Sequence, residues 1–389
     1  MTEKSQINDT YCAVAFYHIY SSSAGKYKLC CHSDTALSEL SKFSPNETLP
    51  FEYFLSDEME HIRNKMLLGE KIDGCEVCYN IEKAGYQSPR TRKYNTYKTL
   101  MHVDQIQLKL RIFGNYCNLA CYMCFPFNSS TRTKELKEIG IYDEIAKGTN
   151  YGVSINYNKW KKIEQNVLEN IHLIESLHLT GGEPLQLPKQ YEFLDKIPDE
   201  YAKNISLTYD TNLTHLQYKN KNIFDYVSKF KKINFSVSCD HFGKKLEWIR
   251  YPIDYKQFEE NIREVQNHKA DIQILSINTT VSILNVEDLY EMEEYYQSNF
   301  GLETKFNIVV EKPHYLNIKN HPLKEQLYKK YKDDPNMALV CKNLLQSTDT
   351  KQWNKGIDYI HTLNEHRQMN FSELWPDYKK VDMIHVVNI

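Results

Sequence analysis

Three cysteines within eight residues, Cys117, Cys121 and Cys124, constrain this chain more than any other feature. They read C-x3-C-x2-C in the stretch Cys117-Asn118-Leu119-Ala120-Cys121-Tyr122-Met123-Cys124. The segment before them, Gln105 to Phe113, alternates like a strand, and Gly114-Asn115 reads as a turn. Three thiolates on a loop leaving a strand make a tripod. A cubane iron–sulfur cluster has four irons, so a tripod leaves one of them without a protein ligand; thiolate is the usual ligand for such clusters. An open coordination position is what lets a metal site do chemistry. Zinc is the alternative for clustered thiolates, but it favours four ligands in pairs.

A second motif follows a strand-like stretch at Ser176–Thr180. Leu179-Thr180-Gly181-Gly182-Glu183-Pro184 places two glycines where backbone can approach a ligand closely. The Glu183 carboxylate, or the loop carbonyls, can accept hydrogen bonds from an ammonium group.

Together the two motifs resemble the radical S-adenosylmethionine (radical SAM) enzymes. The resemblance implies a [4Fe–4S] cluster on Cys117, Cys121 and Cys124, with S-adenosylmethionine chelating the open iron. It implies reductive cleavage of that cofactor to a 5′-deoxyadenosyl radical, which abstracts hydrogen from a substrate. Gly181, Gly182 and Glu183 match the motif that holds the cofactor's amino group. Ser238 and Arg250 match a Ser and an Arg that contact the cofactor in relatives with SPASM or twitch domains. Arg suits a carboxylate because its fork gives two parallel hydrogen bonds. Met123 stands where the family often has an aromatic beside the adenine.

The N-terminal cysteines carry a further resemblance. Cys12, twelve residues, Gly25, four residues and Cys30 match the opening of the SPASM and twitch auxiliary-cluster domains. In those families this segment follows the radical SAM core; here it precedes it. Cys75 and Cys78 add a C-x2-C pair. Cys12, Cys30, Cys75 and Cys78 would hold an auxiliary [4Fe–4S] cluster, with a structural zinc as the alternative. Cys31 is an alternative to Cys30, since neighbours on a strand face opposite ways. His18 and His32 lie nearby. Cys239 and Cys341 read as buried inert thiols.

Clustering of eight of the ten cysteines before residue 125 points to metal rather than disulfides in a reducing compartment. Hydrophobic content of 41% and charged content of 25% describe a globular protein able to bury a core. The polar N-terminus and the lack of a long apolar run predict a cytoplasmic protein without a membrane span. A net charge of −3 supplies no field toward nucleic acid or an anionic membrane.

From Gln105 the pattern alternates strand and helix, which predicts an α/β fold with a parallel sheet. The expected strands are 105–113, 176–180, 204–209, 232–238, 271–281 and 304–310. The helices expected between them are 160–173, 187–196, 224–230, 255–268 and 286–297. The alternation alone admits a doubly wound sheet; the resemblance implies a partial (β/α)6 TIM-like radical SAM barrel. The expected organisation is a cysteine-rich metal-binding unit over 1–100, a radical SAM core over 101–312 and a mostly helical extension over 313–389. Within the first unit, apolar spacing predicts a helix that starts near Ser56 and ends at Gly69, and Ser88–Lys93 reads as a linker.

The resemblance makes a peptide or protein side chain the leading substrate, with a sugar or nucleoside as the alternative. It also implies an external electron donor such as flavodoxin or ferredoxin. A non-catalytic, zinc-stabilised binding protein is the contrasting reading.

Overall fold

The computed structural model describes residues 9–22, 25–34, 38–83, 85, 87–96, 105–111, 113–147, 157–268, 272–309, 313–348 and 350–381. The chain packs as two compact units that interleave in sequence. The first takes residues 1–114, 150–209 and 219–233, and the second takes 115–149, 210–218 and 234–389. The boundaries expected near residues 100 and 312 fall outside the described residues.

The first unit is built on β1 (His18–Ser21), β2 (Tyr27–Lys28), β3 (Ile106–Leu110), β4 (Ile174–Leu179) and β5 (Ser206–Thr211), in the order β2-β1-β3-β4-β5. β1 and β2 form an antiparallel hairpin; β1–β3, β3–β4 and β4–β5 are parallel. Strand formation follows the period-two pattern. On β3, Ile106, Leu108 and Leu110 are buried, while Gln107 and Lys109 are half-buried. The helix Asp57–Leu67 begins where its cap signal stands: Ser56 Oγ accepts from Met59 N–H, and Met59, Ile62 and Met66 form the buried face. The expected linker at Ser88–Lys93 is instead the start of a helix, Pro89–Thr96. Pro89 suits a first helical turn, Ser88 Oγ accepts from Thr91 N–H, and Arg90 is buried against Glu82 and the Tyr11 carbonyl. Two two-residue strands, β6 (Gln217–Tyr218) and β7 (Lys221–Asn222), follow β5 in the chain. The helix expected at 224–230 is only a 3-10 turn, Ile223–Tyr226, opened by an Asn222–Asp225 capping box.

In the second unit β8 (Lys232–Ser238), β9 (Ile272–Val281) and β10 (Thr304–Ile308) run in the order β10-β9-β8. β9 and β10 pair in parallel from Ile277–Thr304 to Val281–Ile308. Tyr255–Asn267 and Leu289–Phe300 are the expected helices. Three more helices, Lys324–Tyr331, Ala338–Leu344 and Thr350–Arg367, form the expected helical extension. Leu327, Tyr331, Val340 and Leu344 pack with Val281, Val286, Leu289 and Ile308 in one apolar cluster. The α/β alternation is thus as expected, with β3, β4, β5, β8, β9 and β10 as the six strands. Neither run of strands closes on itself, as in a partial barrel. Among the described residues no helix is long and apolar enough to cross a membrane.

Candidate functional site

The three-cysteine loop lies in the second unit. Its backbone is pinned from one side by residues 249–251: Ala120 N–H donates to Tyr251 O at 2.7 Å and Tyr122 N–H to Ile249 O at 3.0 Å. From another side, Ser129 Oγ donates to Leu119 O at 2.7 Å while also capping the helix Ser130–Glu138. Asn212, just beyond β5, donates to Asn118 Oδ1 at 3.1 Å and stands 3.8 Å from Cys117 Sγ. Cys117 and Cys121 are buried and Cys124 is half-buried. The loop therefore has a fixed shape before anything binds to it.

Buried cations surround it. Arg250 places Nη1 4.0 Å from Cys121 Sγ and Nε 2.6 Å from Asp240 Oδ2. Burial pushes the Cys121 thiol up, and Arg250, Arg367 and Arg132 pull it the other way. Arg132 and Arg367 both pair with Glu135, and Arg367 also donates to the Ala120 carbonyl. Arg367 ends the helix Thr350–Arg367, so the C-terminal helix holds the thiol loop directly. Its guanidinium sits over the Tyr122 ring at 4.4 Å, and that ring stacks on Trp248 at 3.9 Å. Three thiolates around an iron cluster carry net negative charge, and buried guanidinium groups offset it.

The Gly181-Gly182-Glu183 loop lies in the first unit, directly after β4. Gly181 has φ 102° and Gly182 φ 58°. A Cβ on Gly181 would stand 3.3 Å from Gly114 O and 3.8 Å from Arg111 Cβ, so only glycine fits this approach. The Glu183 carboxylate is 1% exposed and accepts from Leu185 N–H at 3.1 Å. It acts as the cap of the next turn, so its direct task is shaping the loop.

The other four thiols also converge. Cys12, Cys30, Cys75 and Cys78 line one cavity in the first unit, with His32, Tyr79 and Arg90. Cys31 is not among the lining residues, and it is exposed. Burial pushes the Cys12 thiol up to about 11 and Cys30 to about 12; Cys75 and Cys78 also move up, chiefly by burial. Mutual repulsion adds to the rise at Cys75, where Cys12, Cys30 and Cys78 all act on it. Such thiols ionise readily only when a metal takes the charge. Among the described residues no three His, Cys, Asp or Glu side chains stand at ion-holding spacing. The thiols share a space without being drawn onto one point. Burial acts against a thiolate at Cys31, but the hydrogen bond and charge of His32, with Lys109, outweigh it and lower its pKa.

Ser238 ends β8, and Met123 is half-buried on the thiol loop. Cys239 is fully buried, bonded to Tyr296 Oη at 2.9 Å, and pushed up to about 12 by burial. It is a packed thiol, as its sequence context suggests. The Arg132–Glu135–Arg367 network and Asn118 carry no motif, and the sequence reading passes them over.

Three thiols on one loop of an α/β chain, with Arg132, Arg250 and Arg367 buried around it, make an electropositive thiol site. Residues 112–296 match the family model described as the Radical SAM superfamily. That segment is a radical SAM domain, and members of that superfamily are enzymes. No curated protein matches the sequence. Among solved structures, the chain is similar to native anSMEcpe with bound AdoMet, at 16% identity and a TM-score of 0.40, covering 64% of this chain and 65% of that one. It is also similar to Streptococcus suis SuiB bound to S-adenosylmethionine, at 14% identity and a TM-score of 0.36, covering 85% of this chain and 64% of that one. The chain spans just under two thirds of the length of each.

Proposed function

We propose that the chain is a radical SAM enzyme acting on a peptide or protein side chain, with a second metal centre in its first unit. The observation that carries the proposal is the pinned, cation-ringed loop of Cys117, Cys121 and Cys124 inside the region that matches the family model. When bound, a [4Fe–4S] cluster and S-adenosylmethionine supply one-electron cleavage to a 5′-deoxyadenosyl radical, which takes hydrogen from the substrate.

The chain's own groups have separable tasks in this reading. Cys117, Cys121 and Cys124 hold the cluster. Arg250, oriented by Asp240, offers its remaining N–H groups to the cofactor carboxylate, with Ser238 at the end of β8. By the family resemblance Gly181, Gly182 and Glu183 would serve the cofactor's amino group, and within its own loop Glu183 accepts from Leu185 N–H. Met123 packs beside the adenine with a soft apolar side chain. Arg132, Glu135 and Arg367 hold the loop's backbone and shield its charge.

Cys12, Cys30, Cys75 and Cys78 hold an auxiliary [4Fe–4S] cluster in this reading. Four thiolates suit zinc as well, so metal analysis is part of the test. The SPASM-like cysteine spacing supports a peptide substrate over a sugar or nucleoside. An external one-electron donor such as flavodoxin or ferredoxin would reduce the cluster in the cytoplasm.

Protein reconstituted anaerobically with iron and sulfide, then reduced with dithionite, is the test. It should hold about eight irons per chain, four for each cluster. It should release 5′-deoxyadenosine from S-adenosylmethionine. A Cys121→Ala variant that releases as much as wild type would overturn the assignment.

A further inference from the structure

At the end of β5 the chain runs through Thr211, Asn212, Leu213 and Thr214, all buried and all in the second unit with the thiol loop. Leu213 has φ 51°, a left-handed conformation that a leucine side chain disfavours. Its neighbours hold it there. Its N–H donates to Thr211 Oγ1 at 2.9 Å, and its carbonyl accepts from Asn261 Nδ2 at 2.8 Å. Backbone strain of this kind persists where the surroundings over-determine it, and it gathers at functional sites. On either side of this leucine, Asn212 and Thr214 both reach Asn118 of the thiol loop.

Chemistry fixes which end of the Asn212 amide faces which way. Thr214 N–H can only donate, so the atom 3.0 Å from it is Asn212 Oδ1. The amide nitrogen therefore faces the thiol loop, 3.1 Å from Asn118 Oδ1 and 3.8 Å from Cys117 Sγ. It carries two hydrogens, one for each. Asn118 in turn donates through Nδ2 to Thr214 Oγ1 at 2.9 Å, and that hydroxyl donates to Asn212 Oδ1 at 2.7 Å. The three side chains close a ring in which each donates to the next. With the hydroxyl proton used in it, His215 Nδ1, 3.0 Å from Thr214 Oγ1, is the donor of that pair. A flip of the Asn212 amide would turn oxygen toward Asn118 Oδ1 and the sulfur and break the ring.

We propose that Asn212 is a positioning residue that donates to the Cys117 thiolate and raises the reduction potential of the cluster held there. A hydrogen bond to a ligand sulfur favours the reduced cluster, whose extra electron adds charge to the sulfurs. The ring with Asn118 and Thr214 keeps the N–H aimed at that sulfur. Arg250 thus supplies a cation beside Cys121, and Asn212 a neutral donor beside Cys117. A less negative potential widens the range of one-electron donors able to reduce the cluster. The inference rests on the radical SAM reading for the cluster, and on the hydrogen-bond directions for the residue.

The test is a redox titration of the anaerobically reconstituted full chain, followed by electron paramagnetic resonance. The signal to follow is the one that S-adenosylmethionine alters, which marks the cluster on the 117–124 loop. Asn212→Leu and Asn212→Asp should both take up as much iron as wild type. At the wild-type midpoint, the ratio of reduced to oxidised cluster should fall about fivefold in Asn212→Leu. Asn212→Asp keeps the acceptor for Thr214 but has no N–H and adds negative charge, so its ratio should fall further. Asn261→Ala loosens Leu213 without touching the sulfur's donor, and it should stay within about twofold of wild type. An unchanged ratio in Asn212→Leu, an equal fall in Asn261→Ala, or loss of iron from both Asn212 variants would overturn the proposal. A reconstituted wild type with no signal that responds to S-adenosylmethionine would overturn the radical SAM reading as well; an unchanged ratio leaves that reading standing.

Discussion

Arg250 and Asp240 form a buried ion pair, Nε to Oδ2 at 2.6 Å, with side chains 9% and 0% exposed. Arg250 is thereby kept 4.0 Å from the Cys121 sulfur. Asp240 is itself held by Thr280 N–H at 2.7 Å. Removing one partner of such a pair leaves a buried charge without compensation. Asp240→Asn should therefore cost about 3 kcal/mol in urea unfolding. Arg250→Lys keeps the charge but loses the planar fork. It should weaken S-adenosylmethionine binding about tenfold in equilibrium dialysis while leaving the iron content in place.

The C-terminal helix has a stake in the cofactor site through Arg367. Its Nε stands 2.6 Å from Glu135 Oε1, and the same guanidinium donates to the Ala120 carbonyl inside the thiol loop. Arg367→Met removes both bonds and leaves Glu135 with Arg132 alone. The variant should lose about 3 kcal/mol of stability. It should also retain about half of the wild-type iron after reconstitution, because the four thiols of the other unit are untouched. Iron assay and thermal unfolding on one preparation check both outcomes.

The four-thiol cavity makes its own forecast. Cys75→Ser should drop the metal content of that site, leaving about four irons per chain on the Cys117–Cys124 loop. If the site holds zinc, the same substitution would release about one zinc and leave iron unchanged. Inductively coupled plasma analysis separates the two outcomes.

Asp288 should contribute to the protein's acid sensitivity. Burial pushes its carboxyl up, but hydrogen bonds from His241 and Lys245 and their charges outweigh that and hold it at about 2. The folded value lies below the unfolded one. The carboxylate's stabilisation is therefore fully present above about pH 4, and it is lost as pH falls through about 2. Wild type should lose about 2 kcal/mol over that window that Asp288→Asn does not. Urea midpoints at pH 5, 3 and 2 measure the difference, about half of which should be lost by pH 3.

What the sequence made legible was whatever has a local pattern. The C-x3-C-x2-C and C-x2-C spacings are local and could be read directly; that Cys12 and Cys30 line one cavity with Cys75 and Cys78 is a matter of the fold. β8 spans Lys232–Ser238, as its alternation of Ile233, Phe235 and Val237 requires. The helix Ser130–Glu138 escaped because its buried residues include Arg132 and Glu135, which read as a solvated face. Only their partner Arg367, 232 residues beyond Glu135, makes them core. The stretch 88–93 looked like a linker for a similar reason: Arg90 is inward-facing charge, neutralised by Glu82. The ring of Asn118, Asn212 and Thr214 joins residues 94 and 96 positions apart, which no single segment of sequence contains.

The most direct measurement is 5′-deoxyadenosine release by anaerobically reconstituted, dithionite-reduced protein, compared with its Cys121→Ala variant. Wild type should produce the nucleoside together with methionine, and the variant should produce none above a protein-free control. Equal release by the two, or a folded wild type that takes up no iron and releases none, would contradict the assignment of this loop as the site where S-adenosylmethionine is split.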